Sequence, residues 1–93
     1  MTNVPDLAVP PGATADDWCD LTGIDGDIAR ALTWSRHDTD KVGVAVDGWQ
    51  YADGAITRCI SLYDAEDNEL TAPDARRLAA ALLNAADELD RPL

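Results

Sequence analysis

Residues 42–63 read VGVAVDGWQYADGAITRCISLY, and this stretch decides the fold. Val42, Val44 and Val46 alternate with Gly43, Ala45 and Asp47, the period of a strand with one buried face. Asp53-Gly54 is a strong hairpin dipeptide. The run that follows places Ile56, Ile60 and Leu62 on one face, with Thr57, Cys59 and Ser61 on the other. Two antiparallel strands, 42–52 and 55–63, are expected.

Register arithmetic refines this hairpin. A two-residue Asp53-Gly54 turn pairs Ala52 with Ala55, and carried on without interruption it sets Val46 against Ser61 and Val44 against Tyr63. One extra residue in the first strand instead sets Val46 against Ile60 and Val44 against Leu62. Glycine tolerates such an insertion best, so a β-bulge is expected at Asp47-Gly48. Arg58 then lies on the apolar face across from Trp49. Its stem can snorkel and its head can stack on that ring.

Working upstream, DTDK at 38–41 is a polar loop. The run IARALTWSRH at 28–37 alternates loosely, with Ile28, Leu32 and Trp34 sharing one parity. A third strand is expected over 30–37. A loop with an odd number of residues would place Trp34 beside Val44 and Val46. Thr14 can cap a short helix over 15–21 ending near Gly23, with Asp17 in its first turn and Trp18 and Leu21 three apart on its buried face. Residues 24–27 (IDGD) read as a turn. Residues 1–12 carry three prolines and no period. They read as a flexible N-terminal arm, loose unless something holds it, ahead of one domain over 13–93. Val4, Leu7 and Val9 are its apolar residues.

Downstream, Leu70, Thr71 and Asp74 form a staple, N-cap and capping-box signature, and Pro73 is tolerated in a first turn. Ala75, Leu78, Ala79, Leu82, Ala86 and Leu89 line one stripe, widened by Leu83. An amphipathic helix is expected over 72–90, stopped by Pro92 and packed on one sheet face. Ala80, Ala81 and Ala85 read as helix-favouring filler that would also admit a second helix.

Composition bounds the function. The 93 residues suit one domain, and 16 Ala stand against 19 Leu, Ile and Val with no Phe, so the core is expected to be thin. Eighteen acids against seven bases give a net charge of −11. Such a chain repels phosphate backbones and anionic membranes. Fifteen of the acids are Asp, which favours loops and caps over helix interiors. No signal peptide and no apolar run long enough to span a bilayer are present, so a cytoplasmic location is expected. Cys19 and Cys59 form no CxxC pair and read as reduced thiols.

Candidate chemistry is sparse. His37 is the lone histidine, close to Asp38 and Asp40. It reads as part of a solvated turn, with a concave pocket around it as the observation that would favour catalysis. A Cys19–His37 nucleophile pair has no supporting motif. The acidic run Asp64, Glu66, Asp67 and Glu69 lacks the glycine and ligand spacing of an EF-hand and reads as a charged turn. No phosphate-binding, metalloprotease or nucleophile-elbow motif occurs. No catalytic residue, metal or cofactor is expected. The interface candidates are Trp49, Tyr51, Arg58 and Trp34, the residue types enriched in hot spots.

The ending LTAPDARRLAAALLNAADELD (70–90) resembles that of small uncharacterised proteins of actinobacteria and their phages, in which a short sheet precedes an LTxxxAR-LAxAL-xAADE helix. QYADGAITRCI (50–60) is similar to the segment before that helix, and Trp18-Cys19 to an upstream Trp-Cys pair. The resemblance implies a fold and a host range, and no activity.

The chain therefore reads as α+β: a short N-terminal helix, a three-stranded antiparallel meander and a C-terminal helix across one face. The other sheet face would be left for a second copy, as a homodimer, or for a protein partner. The functional expectation is a small acidic non-enzymatic protein–protein interaction module, an accessory or phage-borne factor acting on a host protein. Alternatives are an acidic decoy of a nucleic-acid-binding protein and a small enzyme centred on His37.

Overall fold

The central hairpin forms where the alternation places it. In the computed structural model, which describes residues 5–21, 27–66 and 69–93, strand β4 (Gly43–Tyr51) pairs with β5 (Ile56–Tyr63). Val46 faces Ile60 and Val44 faces Leu62. The register is unbroken from Gly43–Tyr63 to Gln50–Ile56, so the bulge expected at Asp47-Gly48 does not occur. The extra residue sits in the turn. Gly54 N donates to Tyr51 O at 2.9 Å, Tyr51 N donates to Ala55 O at 2.8 Å, and Gly54 has a φ of 94°. A three-residue loop closed by a glycine of positive φ absorbs the offset and leaves the ladder whole. Gly48 answers another need, since a Cβ there would lie 1.9 Å from the Thr57 carbonyl oxygen. The corrected register sets Arg58 opposite Gly48, not Trp49, and Trp49 opposite Thr57.

Strand β3 (Asp27–Arg36) pairs with the other edge of β4. His37 N donates to Val44 O at 2.7 Å and Thr39 N to Val42 O at 2.9 Å, so the connection closes on two residues, Asp40 and Lys41. The odd loop is thus corrected to an even one. A β-bulge restores the parity: pairing shifts between Thr33–Asp47 and Ser35–Val46, with Trp34 as the extra residue. Trp34 packs against the valine core by this route.

The short N-terminal helix is also a correction. Residues 15–21 are extended. Strand β1 (Thr14–Ala15) pairs with Thr33 and Leu32, and β2 (Cys19–Leu21) pairs with Ala29, Ile28 and Asp27. The reason is the outer edge of β3. A ten-residue strand exposes a row of unpaired backbone groups, and a nearby extended segment satisfies them. A helix of two turns is too short to compete, because helix nucleation is costly. Among the described residues five strand segments therefore fill four columns, in the order β1/β2, β3, β4, β5, instead of a three-stranded meander. The turn expected at 24–27 falls mostly on residues outside those described.

Helix α1 (Ala72–Asp90) starts as its signature requires. The Thr71 hydroxyl accepts from Asp74 N at 3.2 Å, and the Asp74 carboxylate accepts from Thr71 N at 3.1 Å. Its packed face is Ala81 and Ala85 with Leu78, Leu82 and Leu89, resting on Val42, Val44 and Val46. The contact stripe is thus rotated from the expected Ala75–Ala79 line toward Ala81 and Ala85, and Leu83 stays 67% exposed. Alanines in the seam let the helix lie close to branched valines, and full burial of each valine is worth about 1.5–3 kcal/mol.

The helix covers only one end of this sheet face. The other end carries Leu32, Gln50 and Arg30, and residues 5–12 lie across it. Arg30 Nη2 donates to Leu7 O at 2.9 Å, Gln50 Nε2 to Ala8 O at 3.0 Å and Trp34 Nε1 to Pro11 O at 3.1 Å. Gln50, 3% exposed, also accepts from Arg30 Nε at 2.7 Å, and Arg30 lies 4.5 Å over the Trp18 ring. The arm is held because extended, proline-bearing backbone leaves carbonyls free for these side-chain donors, of which Gln50 is buried.

Candidate functional site

Strand parity sorts the candidates onto two faces. Trp34 and Arg58 belong to the helix side and serve the fold. The Arg58 guanidinium lies 5.7 Å from the Trp34 ring centroid, and its Nη2 donates to Leu89 O at 2.7 Å and to Arg91 O. The last turn of α1 contains no basic residue, so β5 supplies the cation that its C-terminal carbonyls favour. The expected snorkelling arginine is present, stacked on Trp34 instead of Trp49.

Trp49 and Tyr51 belong to the opposite face, which α1 does not touch. Trp49 is 39% exposed and Tyr51 half-buried. Tyr63, which sequence reasoning did not single out, joins them at 41% exposure. Between Trp49 and Tyr63 lies a groove of about 250 Å³ lined by these two with Asp47, Cys59 and Ser61 from β4 and β5, and Ala31 and Thr33 from β3. Asp47 anchors its floor. Its carboxylate accepts from Ser61 Oγ at 2.6 Å and from the Tyr63 hydroxyl, with Cys59 Sγ at 3.8 Å. That hydrogen bond to Asp47 holds the Tyr63 phenol above its ordinary range. Arg36 lies 5.1 Å over the Tyr63 ring and pairs with Asp38 at 3.0 Å. Bonding to Arg36 and to Val44 N keeps the Asp38 carboxyl below the usual carboxylate range. The bulge expected at Asp47-Gly48 would set Trp49 on the apolar face with Arg58; the unbroken register turns Trp49 and Tyr51 to this odd-numbered face instead. Tyr63 was missed because it closes the strand, where a sequence gives no burial cue.

His37 lies on the helix side, half-buried, beside a cluster that spacing could not show. Ser35 Oγ donates toward both Glu88 oxygens at 2.7 Å, and His37 Nε2 lies 3.0 Å from Ser35 Oγ and 3.3 Å from Glu88 Oε1. Fifty-three residues separate Ser35 from Glu88. With the serine proton directed at the carboxylate, both neighbours of Nε2 are acceptors. The imidazole nitrogen there is therefore a donor, not a base toward Ser35. The cluster ties the end of β3 to the last turns of α1. An open pocket of about 410 Å³ adjoins it, lined by His37, Asp38, Thr39, Asp40, Arg77, Ala81 and Asn84 among others.

Cys19 and Cys59 are both exposed and unbonded to each other. Cys19 Sγ donates to Asp17 O at 3.7 Å, away from His37. In the acidic run, Asp64 and Glu66 are exposed, while Asp67 and Asn68 lie outside the described residues. Among the described residues no helix is long and apolar enough to cross a membrane. No family model, curated protein or solved structure matches this chain.

Proposed function

We propose that the chain is a non-enzymatic protein–protein interaction module that docks through the open face of its sheet. One observation carries this reading: among the described residues no element covers the face opposite α1, and that face presents Tyr51 together with a groove between Trp49 and Tyr63 that Asp47 lines. Trp, Tyr and Arg carry most binding energy in protein interfaces, and Arg36 stands at the rim. The partner's contribution would be a donor for Asp47 and an apolar or cationic group against Trp49. With a net charge of −11, a basic protein is favoured as partner over nucleic acid or an anionic bilayer. Under the origin that the family resemblance implies, the partner is a host protein and this chain an accessory or phage-borne factor.

The test is capture at moderate salt with tagged wild type and tagged Trp49→Ala, followed by mass spectrometry. A stoichiometric protein held by the first and lost by the second supports the reading. A protein retained equally by both opposes it.

The pocket beside His37 favours a second reading, a small-molecule site. A ligand that shifts the His37 ring signals and is lost in His37→Ala would support it.

A further inference from the structure

We infer that the chain dimerises by antiparallel pairing of β5 with β5 of a second copy, about a two-fold axis at Cys59. This goes beyond the docking face, because it uses the sheet edge and leaves that face open.

The edge itself is the first argument. β5 closes the sheet, and among the described residues no strand pairs with its outer side. Alternate residues of an antiparallel strand turn their N–H and C=O toward the same neighbour. Tyr51 N donates to Ala55 O, so the odd-numbered residues of β5 face β4. Ile56, Arg58, Ile60 and Leu62 therefore present theirs outward. Protected edges are short, bulged, or guarded by proline, lysine or inward charge. β5 is eight residues long, contains no proline, lysine or acid, and keeps one register throughout.

Charge selects the occupant. A chain of net charge −11 can meet a copy of itself only where its acids are absent. Residues 54–63 and 75–86 contain no Asp or Glu, and these two runs are the ones that border this edge. Arg77, Ala81 and Asn84 of α1 look toward His37 at the β3 side, so Ala79, Leu82 and Ala86 lie toward β5. Leu62 is 50% exposed there. Arg58 is the one charge on β5, and its head is already turned to the end of α1.

The strand also matches itself. Centred on Cys59, Ile56 falls opposite Leu62 on the helix side, Thr57 opposite Ser61 on the open side, and Arg58 opposite Ile60. Faces coincide, so both helices lie on one side of a continuous sheet. Cys59 meets its own copy at a pair without mutual hydrogen bonds, where Cα atoms approach to about 4.5 Å. That separation falls within the range a disulfide spans.

The experiment is sedimentation equilibrium of the full chain, with copper–phenanthroline oxidation in air as the cross-linking readout. Wild type is expected at twice 10.0 kDa and to cross-link through Cys59, whereas Cys19→Ser still cross-links and Cys59→Ser does not. Cys59→Lys places two ammonium groups face to face in the dimer while leaving an Asp47 partner in the monomer. It is expected to sediment as a monomer with unchanged circular dichroism. Leu62→Lys, at an exposed site, is expected to weaken dimerisation at least tenfold. A monomeric wild type, a dimer indifferent to both lysines, or cross-linking through Cys19 alone would overturn the inference.

Discussion

Arg58 donates to the backbone carbonyl of Leu89 across 2.7 Å, joining the middle of β5 to the last turn of α1. The contact explains how a helix with no basic residue in its final turn ends cleanly at Arg91. It also fixes the helix over the valines, since the same guanidinium covers the Trp34 ring. Arg58→Ala is expected to lower stability by about 1–3 kcal/mol, the cost of leaving charge-bonded carbonyls and a stacked ring without their partner. Arg58→Lys should recover part of the loss, because a single ammonium cannot reproduce the planar fork. Urea unfolding of the three proteins decides this, and an alanine variant as stable as wild type would contradict it.

Trp34 and Trp49 should separate in the same assay. Trp34 packs on the core and bonds Pro11 through its indole nitrogen, so Trp34→Ala is expected to cost about 2–4 kcal/mol. Trp49 stands on the open face, and Trp49→Ala should stay within about 1 kcal/mol of wild type. Equal losses would mean that Trp49 serves the fold.

Gly48→Ala should be among the most damaging small substitutions. The added Cβ would lie 1.9 Å from the Thr57 carbonyl oxygen, which is backbone and cannot rotate away. A loss above about 2 kcal/mol in thermal unfolding is expected. A neutral Gly48→Ala would show that β4 and β5 approach less closely there.

Acid should loosen the start of α1. Hydrogen bonding from Lys41, then from Thr71 N and the Thr71 hydroxyl, lowers the Asp74 carboxyl from 3.8 to about 2. A carboxyl depressed in the folded state stabilises fully above its unfolded value, and the contribution fades as pH falls toward the folded one. Stability should therefore decline between pH 4 and 2, and the decline should be shallower in Asp74→Asn. An identical pH slope in both proteins would contradict this role. Thr71→Ala tests the other half of the capping box and should cost about 1 kcal/mol.

The hairpin and the final helix were legible because each is set by local rules. Alternation paired Val46 with Ile60, and Thr71 with Asp74 marked the helix start within a residue. What failed were placements decided by distant partners. The offset in the hairpin has two solutions, a bulge at Gly48 or a longer turn at Gly54, and parity alone cannot choose between them. Residues 15–21 carry a helix-cap pattern, yet the bare edge of β3 takes them as strand. Arg58 was legible as an anchored arginine, while its ring and its carbonyls, thirty-one residues away at Leu89, were not. The Ser35–His37–Glu88 cluster depends on a helix crossing a strand, which no spacing encodes. Trp49 and Tyr51 were legible as interface residues, but the expected bulge set them on the apolar face with Arg58; their place on the open face, and the Asp47 groove with Tyr63, emerged only from the folded sheet.

Docking through the open face is tested by titration calorimetry of a captured partner. Wild type, Trp49→Ala and Leu83→Ala would be titrated against that partner under one buffer. Trp49→Ala is expected to weaken binding tenfold or more, as a hot-spot truncation above about 1.4 kcal/mol would, with Leu83→Ala unchanged. Unchanged affinity for Trp49→Ala, with loss on Leu83→Ala, would place the docking surface on the helix and contradict it.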